Sequence, residues 1–172
     1  MRCRKITEEF LRFSRGVPPA AEPVDLREVV AGTLALVAPT ARQSGVEFTS
    51  DGETVVPPVM ANREVAQHVL LNLFVNAVQS FEGAGGRVEV SYRVGSDVRV
   101  RIRDGGPGIA EEMKTHLFEP FRTGRKQGTG IGLFLSRRFM RRFGGDVRLV
   151  ESRPGAGSCF EVVFVRTQEE KV

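Results

Sequence analysis

The stretch RVEVSYRVGSDVRVRIRDGGPGI (residues 87–109) decides the fold of this chain. Apolar and polar residues alternate over 87–93 and again over 97–103, with Gly95-Ser96 between the two runs. Alternation of this kind turns one face of each strand toward a core, and a glycine-containing turn between two such runs is typical of a β-hairpin. The stretch therefore predicts a hairpin whose second strand leads directly into Asp104 and a glycine-rich loop.

Helical patterns lie on both sides of this hairpin. The longest covers residues 62–81, and Asp25 with Glu28 three positions later has the form of a capping box at the start of another. The other predicted elements are helices over 25–44, 111–117 and 129–143, and strand pairs at 46–50 with 55–60, around Asp51-Gly52, and at 146–152 with 158–166. The order α-ββ-α-ββ-α-ββ predicts an α+β fold, an α/β two-layer sandwich whose mixed, mostly antiparallel sheet is covered by helices on one face.

The N-terminal residues predict a separate segment. Residues 6–15 have the pattern of the last turns of an amphipathic helix, and residues 16–23 carry three prolines, which favour a stiff connector. We therefore divide the chain into residues 1–24, a helix end plus a proline-rich linker, and residues 25–172, one globular domain.

The composition excludes several classes of protein. Hydrophobic residues make up 41% of the 172 residues, and the formal charge of +4 is too small and dispersed to indicate a nucleic-acid partner. The arginines at 137, 138, 141 and 142 alternate with apolar residues, as on the solvated face of a helix. No apolar run approaches the roughly 18 residues of a membrane span. We expect a cytoplasmic chain without membrane contact of its own, from a parent protein that can be membrane-anchored.

Two asparagines interrupt the apolar helix of residues 62–81. Asn72 and Asn76 are four residues apart, so they lie one turn above the other on the same face, and Gln79 continues that row. An amide without a partner in an apolar setting costs roughly 1–3 kcal/mol, so the pair needs an explanation. Carbonyl oxygens facing a hard cation such as Mg²⁺ provide one, and hydrogen bonds to neighbouring backbone provide another.

A carboxylate follows the second strand of the hairpin. Asp104 can accept a hydrogen bond from the exocyclic amino group of adenine, and the glycines at 105, 106 and 108 let the backbone approach a flat ring. An ordinary Asp-Gly turn is the alternative interpretation of the same residues.

A second glycine-rich stretch, GTGIGL (residues 128–133), opens the helix of 129–143. Glycines there leave the amides of the helix N-terminus accessible to phosphate oxygens, and the helix dipole adds to the attraction. The stretch is not a P-loop, because no Gly-Lys-Ser/Thr follows it. Arg122, Arg125 and Lys126 in the preceding loop can reach phosphates, or they form a solvated charge run.

Four motifs in this order resemble the ATP-binding domain of sensor histidine kinases, within the superfamily of gyrase, chaperone, histidine-kinase and mismatch-repair ATPases (GHKL). LNLFVNA (71–77) resembles the N box, DGGPGI (104–109) the first G box, LFEPF (117–121) the F box and GTGIGL (128–133) the second G box. The resemblance covers about residues 25–165, and it implies a Bergerat-type ATP-binding fold.

The resemblance also implies a set of site residues. Asn72 and Asn76 would hold Mg²⁺ between the ATP phosphates and act as the catalytic residues, while Asp104 would read adenine. Residues 110–128 would form a lid over the nucleotide; Phe118 and Phe121 would anchor it, or they are ordinary core residues. The complete set of implied ATP-binding residues is Asn72, Asn76, Gln79, Asp104, Gly106, Gly108, Ile109, Phe121, Thr123, Arg125, Lys126, Gly128, Thr129, Gly130, Gly132, Leu133 and Ser158.

Departures from the family pattern bear on the reaction. Gln79 stands where many members carry Lys or Arg, and Gly105 replaces a frequent Asn. The hydrolysing branches carry Glu at the position of Asn72, and an amide cannot activate water as that Glu does, which favours transfer to a protein acceptor. Neither His68 nor His116 lies in a phosphoacceptor sequence, so the acceptor histidine is expected on a dimerising helical hairpin outside this chain. The resemblance implies that residues 1–24 are the remnant of a dimerisation helix of that hairpin plus a proline-rich linker.

We therefore predict the ATP–Mg²⁺-binding catalytic domain of a two-component sensor histidine kinase. It would transfer the γ-phosphoryl group of ATP to a histidine of that hairpin, in cis or in trans, for a phosphorelay to a response-regulator receiver domain. The isolated chain is expected to be a monomer. Two alternatives stay open: an anti-sigma-type protein serine kinase, which shares these motifs, and a non-catalytic nucleotide-binding regulatory module.

Overall fold

A computed structural model describes residues 20–52, 55–124 and 128–167. The helix predicted over residues 6–15 and most of the proline-rich connector lie outside the described residues, as do Arg125 and Lys126. Within the described part, no helix combines the length and the apolarity needed to cross a bilayer.

A five-stranded mixed sheet forms one layer of the molecule, in the order β2-β4-β5-β7-β6. Its strands are β2 (Val46–Gly52), β4 (Gly86–Val94), β5 (Asp97–Asp104), β6 (Asp146–Ser152) and β7 (Ser158–Val165). β2 runs parallel to β4, and the other three pairings are antiparallel. The hairpin predicted for residues 87–103 is confirmed as β4 and β5, and the hairpin predicted near the C-terminus is confirmed as β6 and β7.

Helices form the second layer, as the sequence predicts. They are α1 (Leu26–Gln43), α2 (Arg63–Ser80), α3 (Glu111–Lys114) and α4 (Gly132–Arg142). The Asp25 side chain accepts hydrogen bonds from the amides of Arg27 and Glu28, which confirms it as the N-cap of α1. α2 packs between α1 and α4 and against β5, so it is the central helix of the layer.

The core lies between the two layers. Alternate residues of the strands face this core and are buried. The strand pairing places buried residues side by side, with Val90 next to Ile102 and Val100 next to Val162. The helices contribute their apolar stripes, and Phe74 of α2 meets Phe48 of β2 edge to face, with ring centroids 5.5 Å apart. The opposite face of β5 carries Arg99, Arg101 and Arg103, which is why the strand alternates so regularly in the sequence.

The strand pair predicted around Asp51-Gly52 is wrong. β2 pairs with β4 over seven positions, and β3 (Val59–Ala61) pairs instead with β1 (Glu22–Val24), which the sequence analysis assigned to the connector. The Asp51-Gly52 turn does not form a hairpin because β2 and β3 each pair with a strand more distant in the sequence. β2 extends the main sheet through a helical crossover, and β1 with β3 buries Val24 and Val59.

Two helices are shorter than the sequence predicts. α3 stops at Lys114, and residues 115–120 continue as turns. α4 begins at Gly132 and not at Thr129, so residues 128–131 form a loop before the helix. Glycine is a poor helix former, and the loop glycines therefore delay the helix start.

Candidate functional site

One face of α2 organises the site. Asn72, Asn76 and Ser80 are spaced by four residues, so they form a single row, about 12 Å long, along the helix. Eight apolar side chains elsewhere on α2 are buried, whereas the two asparagines are half-buried. The apolar sequence around them suggests burial in the core, but the two amides lie at the edge of the core. We call this the Asn72–Asn76–Ser80 row.

At its N-terminal end the row contacts the start of α4. The Asn72 Nδ2 donates a hydrogen bond of 2.9 Å to the Ser136 Oγ, and Ser136 is 1% exposed. Gly132 is the first residue of α4, and a Cβ atom there would come within 2.5 Å of the Asn72 Oδ1. A side chain at position 132 would therefore displace the Asn72 amide.

At its C-terminal end the row contacts the end of β5. The buried Asp104 carboxylate accepts a hydrogen bond of 3.0 Å from the Gly106 amide and one of 3.2 Å from the Ser80 hydroxyl, both on Oδ1. The Ser80 hydroxyl also lies 2.8 Å from the Ala77 carbonyl, one turn back. These bonds fix the carboxylate on the helix side of the sheet, beside the row.

A serine network continues from Asp104 into the second hairpin. Ser158 lies beside Asp104 in the β5–β7 register, and its hydroxyl is 3.0 Å from that of Ser152. Ser152 in turn accepts a hydrogen bond of 2.9 Å from the Ile109 amide, which ties the first glycine-rich loop to β6. Gly108 lies in the same loop and has a φ of +76°. Only glycine fits there, because a Cβ would come within 2.2 Å of the Arg153 carbonyl oxygen.

The N-terminus of α4 carries no side-chain cap. Its N-cap is Ile131, whose side chain makes no capping hydrogen bond. The Ile131 amide itself lies 3.5 Å from the Thr129 hydroxyl, at the limit of a hydrogen bond. Uncapped amides at a helix start are suited to an anionic ligand.

The lid segment is more open than the rest of the site. Phe121 is 76% exposed with a φ of +65°, and its amide donates to the Gly130 carbonyl at 2.9 Å, which links the F box to the second G box. The alternative that Phe121 is an ordinary core residue is wrong. Phe118 is half-buried, with the Arg137 guanidinium 4.5 Å above its ring.

The predicted residues fall into three contact groups. Asp104, Gly106 and Ser158 are in contact or paired at the end of the sheet, Asn72 meets Gly132, and Phe121 meets Gly130. Of the rest, Gln79, Thr123, Gly128 and Thr129 are exposed, and Leu133 packs against the core. Their roles toward ATP remain predictions.

Three serines were missed by the sequence analysis. Ser80, Ser136 and Ser152 each hydrogen-bond a residue of the site or its loop. Serine is common on surfaces and carries no motif of its own, so little in the sequence marks these three positions. The spacing of Ser80 four residues after Asn76, and of Ser136 four after Gly132, was the available signal.

The far end of α4 is held by a cluster of charges. The Asp146 carboxylate of β6 accepts from Arg137 at 2.9 Å, Arg141 at 3.2 Å and Arg148 at 3.3 Å. Burial is the largest single influence and raises the pKa of Asp146, but the hydrogen bonds from these arginines and the Val147 amide together outweigh it and lower the pKa. A cavity of about 420 Å³ lies on the outer side of α4, lined by Phe118, Phe134, Arg137, Arg138, Arg141 and Arg142, away from the Asn72–Asn76–Ser80 row.

Comparisons with known proteins agree with this geometry. A family model described as "Histidine kinase-, DNA gyrase B-, and HSP90-like ATPase" matches residues 61–168. Two curated relatives are the signal transduction histidine-protein kinase AtoS of Escherichia coli, 36% identical, and the nitrogen regulation protein NtrY of Azorhizobium caulinodans, 32% identical. Each alignment covers 93% of this chain but only 26% and 21% of the relatives, so the chain spans about a quarter of their length.

Solved structures of histidine kinases have the same fold. The nucleotide-free catalytic domain of ThkA superposes with a TM-score of 0.77 at 28% identity, covering 87% of this chain and 97% of that one. ThkA in complex with the response regulator TrrA gives a TM-score of 0.81 at 26% identity, with 99% and 49% coverage. Full-length ShkA in complex with AMPPNP gives 0.79 at 26% identity, with 93% and 35% coverage. The α+β fold and the resemblance to sensor kinases are confirmed, and the chain belongs to the histidine kinase-, DNA gyrase B- and HSP90-like ATPase family.

Proposed function

We propose that this chain is the catalytic domain of a sensor histidine kinase, which binds ATP with Mg²⁺ and presents the γ-phosphoryl group to a histidine on another domain. The observation that carries the proposal is the Asn72–Asn76–Ser80 row. One end of the row meets the start of α4, and the other end meets the Asp104 carboxylate. Groups suited to a base and to phosphates therefore border the face of α2 that carries the two asparagines suited to a metal ion.

Asp104 is the base-reading residue of the proposal. Its carboxylate is oriented by Gly106 and Ser80, and an ionised carboxylate accepts hydrogen bonds without donating any. The exocyclic amino group of adenine is a donor, whereas guanine has a carbonyl at the equivalent position. The site therefore favours adenine, with Ser158 beside the carboxylate and the loop of residues 105–109 against the ring.

Asn72 and Asn76 suit a magnesium ion by their chemistry. The Asn72 Nδ2 donates to Ser136, which leaves the Oδ1 on the side of Gly132 at the start of α4. Neutral oxygens that leave several positions to water and phosphate oxygens are what Mg²⁺ accepts in nucleotide sites. When bound, the ion neutralises charge that the phosphates develop during transfer.

The phosphates would lie at the N-terminus of α4. Its uncapped amides and the glycines at 128, 130 and 132 offer donors without side chains in the way. Thr123, Arg125, Lys126 and Phe121 are proposed to close over the nucleotide as the lid. Arg125 would pair with the phosphates, where an arginine can make two parallel hydrogen bonds.

The reaction is transfer and not hydrolysis. Phosphoryl transfer needs positioning and charge neutralisation more than covalent chemistry, and the α2 row supplies amides and a hydroxyl where a water-activating carboxylate would be required. The acceptor would be a histidine on a dimerising helical hairpin, and a response regulator would take the group next. The ThkA–TrrA complex supports a partner of that kind. The catalytic chain itself would be a cytoplasmic monomer.

The test is a reconstituted transfer. The chain is mixed with labelled ATP, Mg²⁺ and a purified helical hairpin that carries an acceptor histidine. We expect acid-labile, base-stable label on the hairpin, as phosphohistidine gives, and no label with Asp104→Ala. Acid-stable label on serine would favour a serine kinase, and failure of the chain to bind ATP in calorimetry would contradict the proposal.

A further inference from the structure

Ser136 has no place in the four motifs, yet it makes the direct contact that holds Asn72. It is 1% exposed, and its Oγ accepts a hydrogen bond of 2.9 Å from the Asn72 Nδ2 across the interface between α2 and α4. The two residues are 64 positions apart in the chain, so the bond forms only when α4 packs correctly on α2. It therefore couples the position of the second G box to the orientation of the N box.

The orientation of an asparagine amide decides what it can bind. One end is a carbonyl oxygen, which can accept a hydrogen bond or ligate a cation, and the other end is an NH₂ group, which can only donate. A hydroxyl oxygen that accepts a hydrogen bond from the NH₂ group keeps the amide carbonyl oxygen on the opposite side. At Asn72 that side is Gly132, whose missing Cβ leaves room for the oxygen at the start of α4.

We propose that Ser136 is a positioning residue, which orients the Asn72 amide so that its oxygen faces the nucleotide and metal side of the site. This inference rests on the proposed function, since it assumes that the Asn72 oxygen serves the ATP–Mg²⁺ complex. Ser136 itself would contact neither ATP nor Mg²⁺. Groups that orient metal ligands from behind change metal affinity by about 10- to 100-fold when they are removed, although they make no bond to the metal.

The experiment compares Ser136→Ala with Thr33→Val in the full chain. Thr33 is also fully buried and its hydroxyl donates to the Val29 carbonyl within α1, outside the site, so its loss controls for the removal of any buried hydroxyl. The first measurement is hydrogen exchange of the Asn72 side-chain amide by NMR in the absence of nucleotide, assigned with Asn72→Asp. The second is calorimetry of a non-hydrolysable ATP analogue across a magnesium titration, with adenosine as the ligand that lacks phosphates.

We expect Ser136→Ala to speed exchange of the Asn72 amide protons and to raise the half-saturating Mg²⁺ concentration about tenfold, with adenosine affinity unchanged. Thr33→Val changes neither quantity. Unchanged amide exchange and magnesium dependence in Ser136→Ala, with a magnesium defect in Asn72→Ala, would overturn the role of Ser136 and leave the proposed function intact. If Asn72→Ala and Asn76→Ala also keep the wild-type magnesium dependence, the proposed metal site itself is wrong, and the inference falls with it.

Discussion

Asp104 and Phe121 lie on opposite sides of the proposed site and are held very differently. Asp104 is buried, and its carboxylate accepts hydrogen bonds from two residues of separate elements. Phe121 is 76% exposed at positive φ, and its described backbone contact is one hydrogen bond to Gly130. The base side is thus formed by the packing of the domain, whereas the backbone bond of Phe121 joins two loops at the proposed lid. α2 contacts Asp104 through Ser80 and the start of α4 through Asn72.

This contrast predicts which changes abolish binding and which only weaken it. Losses on the base side remove a group that is already in its binding position, so nothing else compensates. On the proposed lid side, a group that becomes ordered when the ligand binds would lose chain entropy, so its removal would recover part of the lost binding energy.

The largest effect is expected from Asp104→Ala. It removes the proposed acceptor for the adenine amino group and leaves the Gly106 amide without its Asp104 partner. We expect the affinity for adenosine and for ATP to fall at least about 100-fold, as when a site built around a buried hydrogen bond loses it. Calorimetry measures both ligands, and Asp97→Ala, at the opposite end of the same strand, is the matched control. Wild-type adenosine affinity in Asp104→Ala would refute the base-reading role.

The second-largest effect is expected from Gly132→Ala, which should weaken binding of the phosphates without weakening binding of the base. The new Cβ would come within 2.5 Å of the Asn72 Oδ1, so the amide must move away from the start of α4. We expect Mg²⁺–ATP affinity to fall roughly tenfold while adenosine affinity is retained. The control is Gly32→Ala on α1, where a Cβ meets nothing within 4 Å and the helix should gain about 1 kcal/mol.

Equal losses of adenosine and Mg²⁺–ATP affinity in Gly132→Ala would contradict this division. The domain would then have lost its fold, or the start of α4 would contact the base as well. Thermal unfolding of the variant distinguishes these two outcomes, because the first lowers the melting temperature and the second leaves it unchanged.

A smaller effect is expected from the cluster that holds the other end of α4. The carboxylate of Asp146 receives three guanidinium groups, and Asp146→Asn should destabilise the domain by about 1–3 kcal/mol at pH 7, because it removes charge-assisted hydrogen bonds. The pKa of Asp146 is lower in the folded state than its ordinary value. Its contribution is therefore fully present above about pH 4 and is lost as the pH falls through the folded pKa.

Urea unfolding of wild type and Asp146→Asn between pH 7 and pH 3 measures this contribution. The stability difference should stay constant down to about pH 4 and shrink below it. Adenosine affinity at pH 7 should not change, because the cluster lies at the far end of α4 from Asp104. A difference that grows as the pH falls would mean that Asp146 is not stabilised in its ionised form.

Most of the base side could be predicted from the sequence, and less of the rest. The hairpin of residues 87–103 alternates regularly, since β4 and β5 each have one face on the core, and that pattern fixes the position of Asp104 at the strand end. Asn72 and Asn76 were recognisable because polar residues on an apolar helix are unusual. Their positions relative to each other follow from helix geometry alone.

The failures have a common physical cause. The Asp51-Gly52 turn was predicted from local signals, but β2 and β3 are decided by partners far along the chain. Ser136 and Ser80 were missed for the same reason, because their roles exist only in contacts across elements. The exposure of Phe121 was not decided by the sequence either, because the motif implied a lid anchor while phenylalanine as a residue type favours burial.

The smallest effect, and the sharpest test of the lid side, is Phe121→Gly. Glycine adopts a φ near +65° without the strain that a β-carbon brings, and little burial is lost because the ring is 76% exposed. We therefore expect the stability of the domain to change by less than about 1 kcal/mol in either direction, with adenosine affinity unchanged. If the ring anchors the lid, Mg²⁺–ATP affinity should fall about threefold to tenfold, since a flexible glycine raises the entropy lost when the lid orders. Phe118→Ala is the companion variant, because it removes the ring under Arg137 without touching the positive-φ position. Equal ATP affinity in wild type and Phe121→Gly would mean that the exposed ring serves something other than the nucleotide.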